Sequence, residues 1–437
     1  MALLGAAPRV TVSATLAANE VMAARQRRGD PVLPMAFGEA GLDVHPALCD
    51  SLVKAAGCNS YGPVAGIPAL RESAAGYWSR RNIPTSPSSV VCGPGSKALL
   101  YALVAAIGGD IAVTQPSWVS YAAQAALAGL GAVLVPGSAG VPDAAALSAA
   151  VARSARPIRA VIITLPDNPT GALATPAAVS ALCAVAERHD LVIIADEIYR
   201  DLIYGDAPRY ENLYSERTVV TTGLSKSLAL GGWRIGVARF PSSVLGRELR
   251  DRVLAIGSEI WSAAASPVQQ AAAFAFTEPA ELTEHIARSR ALHACVARAV
   301  AGVFAAAGAA VAPPAAAFYV YPDFSPLADV LLTRHSIASD TDLADLLLRR
   351  YGVGVLPASA FGEDAGRLRL RVATGLLYGD SEAQRAAALD AVDALAGDPV
   401  TGSVAGSAAS RLTGPCALPW INDALARLGS ALADLLD

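Results

Sequence analysis

Between about residue 90 and residue 240 the chain alternates two patterns. Short runs are apolar at every position: Val90-Val91-Cys92, Ile111-Ala112-Val113, Val133-Leu134-Val135, Ala160-Val161-Ile162-Ile163, Leu191-Val192-Ile193-Ile194, Thr218-Val219-Val220-Thr221 and Ile235-Gly236-Val237. Between them lie alanine- and leucine-rich stretches of helical spacing, among them residues 96–107, 121–130 and 176–189. A strand that is apolar throughout, rather than at every second position, is covered on both faces. Such strands alternating with helices predict an α/β domain with a mainly parallel, seven-stranded sheet. Ligands of these sheets bind beyond the carboxyl ends of the strands.

After a long helical stretch over residues 279–306 the pattern changes. Phe318-Tyr319-Val320-Tyr321, a helix, Val353-Gly354-Val355-Leu356, residues 368–373 and a further helix predict a smaller α+β domain, joined by the N-terminal residues 1–46. The expected division is a large domain over 47–290, a small domain over 291–396, and a C-terminal extension over 397–437. Within the extension, residues 396–416 are rich in Gly, Ser and Ala and predict a linker. Residues 418–436 place Trp420, Ile421, Leu425, Leu428, Leu432 and Leu435 on one helical face. The simpler reading is a helix docked on its own domain; a subunit contact is the other.

Composition narrows the class. Hydrophobic residues make up 53% of the 437 positions, yet the excess is mostly alanine and no apolar run approaches bilayer-spanning length. The N-terminus lacks the apolar segment of a secretory leader. A net charge of -4 without a basic stripe argues against nucleic acid. Six scattered cysteines without Cys-x-x-Cys spacing, and five unclustered histidines, argue against a disulfide framework, a zinc site or a metal enzyme. A reducing cytoplasm fits.

Against this background Lys226 stands out. It lies in Gly223-Leu224-Ser225-Lys226-Ser227, just past an apolar strand and among small residues. An amine so placed is poorly explained as a solvated charge and well explained as one positioned to form an imine. Asp196 ends the strand before it, where a buried carboxylate is costly unless something meets it: an arginine in an ion pair, a helix end that it caps, or a pyridinium nitrogen. Asn168, in Asn168-Pro169-Thr170-Gly171, and Tyr199 would suit a phenolate oxygen, although the first motif is also an ordinary turn. Gly95, Ser96 and Lys97, between a strand and a helix, can cradle a phosphate at a helix N-terminus, with Arg234 adding a guanidinium. Trp118 is either a core aromatic or a ring stacked on a planar cofactor. Of Arg367, Arg369 and Arg371, one is expected to fork onto a substrate carboxylate.

Taken together with Tyr61-Gly62, residues 116–121, 232–236 and 369–374, these motifs resemble the class I/II aminotransferases, fold-type I enzymes that use pyridoxal 5'-phosphate. The resemblance runs from about Val10 to about Ala396. It implies that Lys226 forms the internal aldimine and then acts as base, and that Asp196 meets the pyridine nitrogen. Asn168 and Tyr199 would hold the phenolic oxygen, and Trp118 would stack on the ring. Ser96, Lys97, Ser225 and Arg234 would serve the phosphate, with Tyr61 reaching the neighbouring subunit's phosphate in a homodimer. Arg369, with Gly38, would take the substrate α-carboxylate, and Thr15, Gly38, Trp118 and residues 260–262 the side chain.

Four departures bear on the reaction. Gly223 replaces a frequent Ser, with Thr222 or Ser225 as substitutes. Asp167 replaces a neutral residue, Glu39-Ala40-Gly41 replaces Glu-Pro-Asp, and Arg371 stands where a small residue is frequent. Transfer of an amino group between an α-amino acid and a 2-oxo acid is the first expectation. The alternative is a specialised enzyme with the same cofactor, catalysing elimination, replacement, cyclisation or oxidative deamination. A catalytically silent regulator is disfavoured by the intact lysine.

Overall fold

The computed structural model describes residues 10–393 and 414–437. The leader reading of the first nine residues therefore lies outside the described residues, as does the linker reading as far as residue 413. In chain order, α1 (Ala14–Arg27), β1 (Leu33–Pro34), α2 (Pro46–Ala55) and α3 (Pro68–Ser79) precede the main sheet. There follow β2 (Val90–Gly93), α4 (Ser96–Ile107), β3 (Asp110–Gln115), α5 (Ser120–Leu127), β4 (Ala132–Ser138), β5 (Val141–Pro142), α6 (Ala144–Arg153), β6 (Ile158–Thr164), α7 (Pro176–Arg188), β7 (Val192–Asp196), β8 (Thr218–Gly223), β9 (Gly236–Arg239), α8 (Val244–Ile260) and α9 (Ser266–Phe276). The chain continues with α10 (Ala280–Ala306), β10 (Tyr319–Val320), α11 (Ala328–His335), α12 (Asp340–Tyr351), β11 (Val353–Gly354), β12 (Leu356–Pro357), β13 (Leu370–Ala373), α13 (Glu382–Asp390) and α14 (Pro419–Leu436).

The main sheet has the order β2-β9-β8-β7-β6-β3-β4-β5. All seven expected strands are present. The eighth, β5, is a two-residue strand antiparallel to β4 at the sheet edge, too short to leave an apolar run in the sequence. The pairs β8-β7, β7-β6, β6-β3 and β3-β4 are parallel, whereas β9 runs antiparallel between β2 and β8. Both faces are buried, as fully apolar strands require. In β6, Val161 and Ile163 enter the core on one face with α3, α7 and α9, while Ala160 and Ile162 enter the core on the other with α4 and α5.

Local signals set the helix ends. Thr175 caps α7 by accepting from the Ala178 N–H at 3.2 Å, and Pro176 takes the first turn, where its missing donor costs nothing. The α4 helix begins at Gly95 and stops at Gly108, whose φ of 70° is the left-handed conformation that ends helices.

In the smaller layer β13 lies between β10 and β12, both antiparallel to it. Strand β1 pairs in parallel with β11, Leu33 opposite Val353, so the N-terminal segment is part of this layer. Helix α10 is continuous across the expected division at 290/291: Leu282 packs in the large core, and Leu292 to Phe304 pack in the small one. Ile421, Leu425, Leu428, Leu432 and Leu435 of α14 are buried in that same small core. The C-terminal helix is docked on its own domain, and the Trp420 indole donates to the Tyr378 carbonyl at 2.9 Å.

Candidate active site

A cavity of about 510 Å³ opens where the carboxyl ends of β3, β6, β7 and β8 meet the start of α4 and the smaller layer. Gly38, Ser96, Lys97, Trp118, Asn168, Asp196, Tyr199, Ser225, Lys226 and Arg234 line it. These residues come from eight separate segments of the chain.

One wall is built for an anion. Gly95, with φ of 85°, turns the chain into α4, so that the first N–H groups of the helix face the cavity. A side chain at Gly95 would collide with the Arg234 guanidinium, and one at Gly236 with the Ser96 backbone. Both glycines thus let β9 and the start of α4 approach closely. Arg234 itself holds a left-handed φ of 54°, a conformation that a non-glycine residue keeps only under constraint. Lys97 stands 5.0 Å above the Trp118 ring, and its burial next to Arg234 pushes its pKa below the usual value. Thr222 is not available as a substitute hydroxyl, because it donates to the Glu197 carbonyl at 3.3 Å; Ser225 does line the cavity. A Cβ at Gly223 would sit 2.8 Å from the Ile235 carbonyl oxygen, which accounts for glycine there.

At the centre, Lys226 Nζ donates to the Gly38 carbonyl at 2.5 Å. Gly38 has to be glycine, since a methyl group there would strike the Tyr319 hydroxyl. Burial lowers the Lys226 pKa to about 8; the Glu39 carboxylate opposes the shift, and Arg371, Arg234 and Lys97 add to it. Among the described residues Asp196 has no cationic partner. Its two oxygens accept from Tyr121 at 2.9 Å and Thr221 at 3.2 Å, and burial raises its pKa to about 6. The ion pair that the sequence allowed belongs to its neighbour, since Glu197 takes Arg200 at 2.6 Å and Tyr214 at 2.7 Å. The Tyr199 hydroxyl shares a 2.7 Å hydrogen bond with Tyr319, and the buried Asn168 Oδ1 has no partner among the described residues.

Two expected residues lie elsewhere. Arg369 is turned away from the cavity and held by Asp323 at 2.8 Å and Glu363 at 3.1 Å. Arg371 lines the cavity instead, enclosed between the Tyr319 and Phe361 rings at 5.0 and 5.1 Å. It donates to the Ala36 carbonyl, its Nε has no partner among the described residues, and burial lowers its pKa. The two arginines are two positions apart, so they share one parity of the extended chain, but Arg369 precedes β13 and Arg371 lies within it, roughly 7 Å further along. Only the nearby acids decide which one is neutralised. Tyr61 is 92% exposed, outside its own chain's cavity, and residues 260–262 do not line it either.

The sequence assigned no role to Tyr121, Thr221 and Tyr319, and named Arg371 among three candidate arginines but favoured Arg369. Tyr121 and Thr221 lie at the ends of runs that the sequence did mark; nothing local marks Tyr319, which reaches the site only through the packing of the smaller layer.

The donor set fits pyridoxal 5'-phosphate. It offers the Asn168 side-chain amide and a tyrosine hydroxyl at one edge, a buried carboxyl at the cavity floor, a helix end with an arginine for phosphate, and a depressed lysine amine. Fold and site define an enzyme of carbonyl–amine chemistry. Comparison with known proteins gives its family. Residues 32–382 match the family model for aminotransferase class I and II. The chain is 33% identical over 375 residues to the aspartate/prephenate aminotransferase of Cereibacter sphaeroides, covering 81% of this chain and 89% of that one. It is 31% identical over 373 residues to a probable aspartate/prephenate aminotransferase of Thermus aquaticus, covering 83% and 92%. The solved Thermus thermophilus aspartate aminotransferase with maleate superposes with a TM-score of 0.78 at 25% identity, over 98% of this chain and all of that one. The Rhizobium meliloti aspartate aminotransferase shares the fold, with a TM-score of 0.79 at 23% identity. This chain belongs to the class I and II aminotransferases, and it is an aminotransferase.

Proposed function

We propose that the protein moves an amino group between an α-amino acid and a 2-oxo acid, with pyridoxal 5'-phosphate held in the 510 Å³ cavity by the residues above. The observation that carries this is Lys226, an amine whose burial lowers its pKa to about 8, aimed into a cavity with an anion cradle at one side and, at the other, a buried guanidinium with no carboxylate partner among the described residues. When bound, the cofactor supplies a carbonyl to carry the amino group and a ring to draw electrons from the Cα–H bond.

The chain's own residues do the rest. Asp196, steadied by Tyr121 and Thr221, presents its carboxyl to the ring nitrogen and favours the protonated ring. Tyr199 and Asn168 donate to the ring oxygen. Ser96, Lys97, Ser225, Arg234 and the α4 N-terminus hold the phosphate. Arg371 forks onto the substrate α-carboxylate and fixes the Cα–H bond relative to Lys226. The Lys226 Nζ, neutral above about pH 8, takes the α-proton and returns it. Rings from Trp118, Phe37 and Tyr319 keep water from the reacting carbon.

The substrates are α-amino acids and 2-oxo acids. The relatives' names make aspartate the first donor to test. A homodimer is proposed from the exposed Tyr61, placed to reach a partner's phosphate, and a reducing cytoplasm from the six free thiols. A half-reaction tests the function. With the cofactor loaded, an amino acid should convert the absorbance of the aldehyde form into that of the amine form, and a 2-oxo acid should reverse it. Lys226→Ala should bind the cofactor without turnover; full activity in that variant would sink the reading.

A further inference from the structure

Helix α14 and the turn before it lie beyond the residues that match the family model, which end at 382. That turn, Gly414–Ala417, carries Cys416 against α10, where Cys295 faces it with the two sulfurs 3.2 Å apart. Both thiols are free, and among the described residues no other pair of cysteines is in contact. We propose that Cys295 and Cys416 are an oxidisable thiol pair, closed by a small-molecule disulfide into a cross-link that pins α14 to α10.

Geometry makes the reaction short. A disulfide needs its sulfurs about 2.05 Å apart, so the pair has to close by about 1 Å. Cys416 sits on a four-residue turn and Cys295 on the 27-residue α10, so the shorter element is the side expected to shift. Asymmetry sets the order of events. Cys416 is buried, whereas Cys295 is partly exposed. The two sulfurs share a contact in which either can donate, and Arg298, one turn further along α10, favours a thiolate on Cys295. Burial pushes the Cys416 thiol up. Partial exposure makes Cys295 the nucleophile that meets the oxidant, and Cys416 the thiol that resolves it.

The chemistry balances with a disulfide such as oxidised glutathione as co-reactant. The Cys295 thiolate attacks one sulfur of the oxidant and releases one reduced thiol. The Cys416 sulfur then attacks Cys295, the mixed S–S bond breaks, and a second reduced thiol leaves. Two electrons and the two protein thiol protons end on two small thiols. In a reducing compartment the pair stays open and closes under oxidative load. The bond would join positions 121 residues apart and add a covalent tie to a helix otherwise held by apolar packing, the Arg350–Asp434 ion pair and a few hydrogen bonds.

The full-length protein with cofactor is treated with oxidised glutathione, alkylated under denaturing conditions and digested with trypsin. The expected result is one non-reduced species linking Ala291–Arg298 to Leu412–Arg427. Cys49, Cys58, Cys92 and Cys183 should remain open to alkylation. Amide exchange in residues 419–436 should slow on oxidation and recover with dithiothreitol. Cys295→Ser, checked for folding by circular dichroism, should lose the link and the protection. The double variant Cys49→Ser/Cys58→Ser, lacking the exposed thiols, should keep both. Glutathione trapped singly on Cys295, no linked peptide, or a link that leaves exchange in α14 unchanged would each overturn the proposal.

Discussion

Among single residues, Arg371 and Arg369 show how charge bookkeeping decides function. One is satisfied by two carboxylates near the surface; the other is buried with an unpartnered Nε beside the cavity. Arg371→Ala should raise KM for the amino donor on the order of a hundredfold, the loss of ~3 kcal/mol expected for a buried guanidinium–carboxylate contact. Arg369→Ala should leave KM unchanged, and steady-state kinetics of the two variants separate the roles. Asp167 is a different case. It is buried, its Oδ1 has no partner, and its Oδ2 accepts from Thr170 at 2.5 Å. Burial raises its pKa from 3.8 to about 7. Between those values the native state holds a proton that the unfolded chain has released, so stability falls as pH rises through the window. Asp167→Asn should remove that slope and be the more stable form at about pH 8. Urea unfolding of both proteins at about pH 5 and about pH 8 measures the difference.

At the level of elements, the anion cradle depends on how closely β9 and the start of α4 can approach. A methyl at position 236 would press on the Ser96 backbone. Gly236→Ala should therefore weaken cofactor retention in equilibrium dialysis while far-ultraviolet circular dichroism stays native. The elements that carry this site were largely legible in the sequence. Seven apolar runs became seven strands, and residues 96–107 became α4 with the same ends. The reason is physical: a strand buried on both faces and a helix bounded by glycines write their constraints into adjacent residues. What stayed hidden depends on distant packing. Residue parity cannot separate Arg369, just before β13, from Arg371 within it, because Asp323 and Glu363, which neutralise the former, come from other segments. Tyr319 gave no local signal, since its value lies in touching Gly38, Tyr199 and Arg371 at once. Thr222 looked free until its carbonyl partner on the segment after β7 was seen.

Across the whole molecule, two layers share one cavity and the C-terminal helix completes the smaller layer's core. Leu428, 1% exposed, faces that core, and Leu428→Ala should cost about 2–5 kcal/mol in denaturant unfolding. An exposed position on the same helix, such as Asp423, should tolerate alanine with little change, which separates packing from helix propensity. The cavity has a consequence for how the protein is made. Its lining runs from Thr15 near one end of the chain to Arg371 near the other, and the Lys226 amine is tied to Gly38 across the two layers. A growing polypeptide that has left the ribosome as far as α9 holds the lysine, the acid and the phosphate cradle but lacks the walls formed by Tyr319 and Arg371. On the proposed reading, a chain that stops short of β13 lacks the arginine that would take the substrate carboxylate.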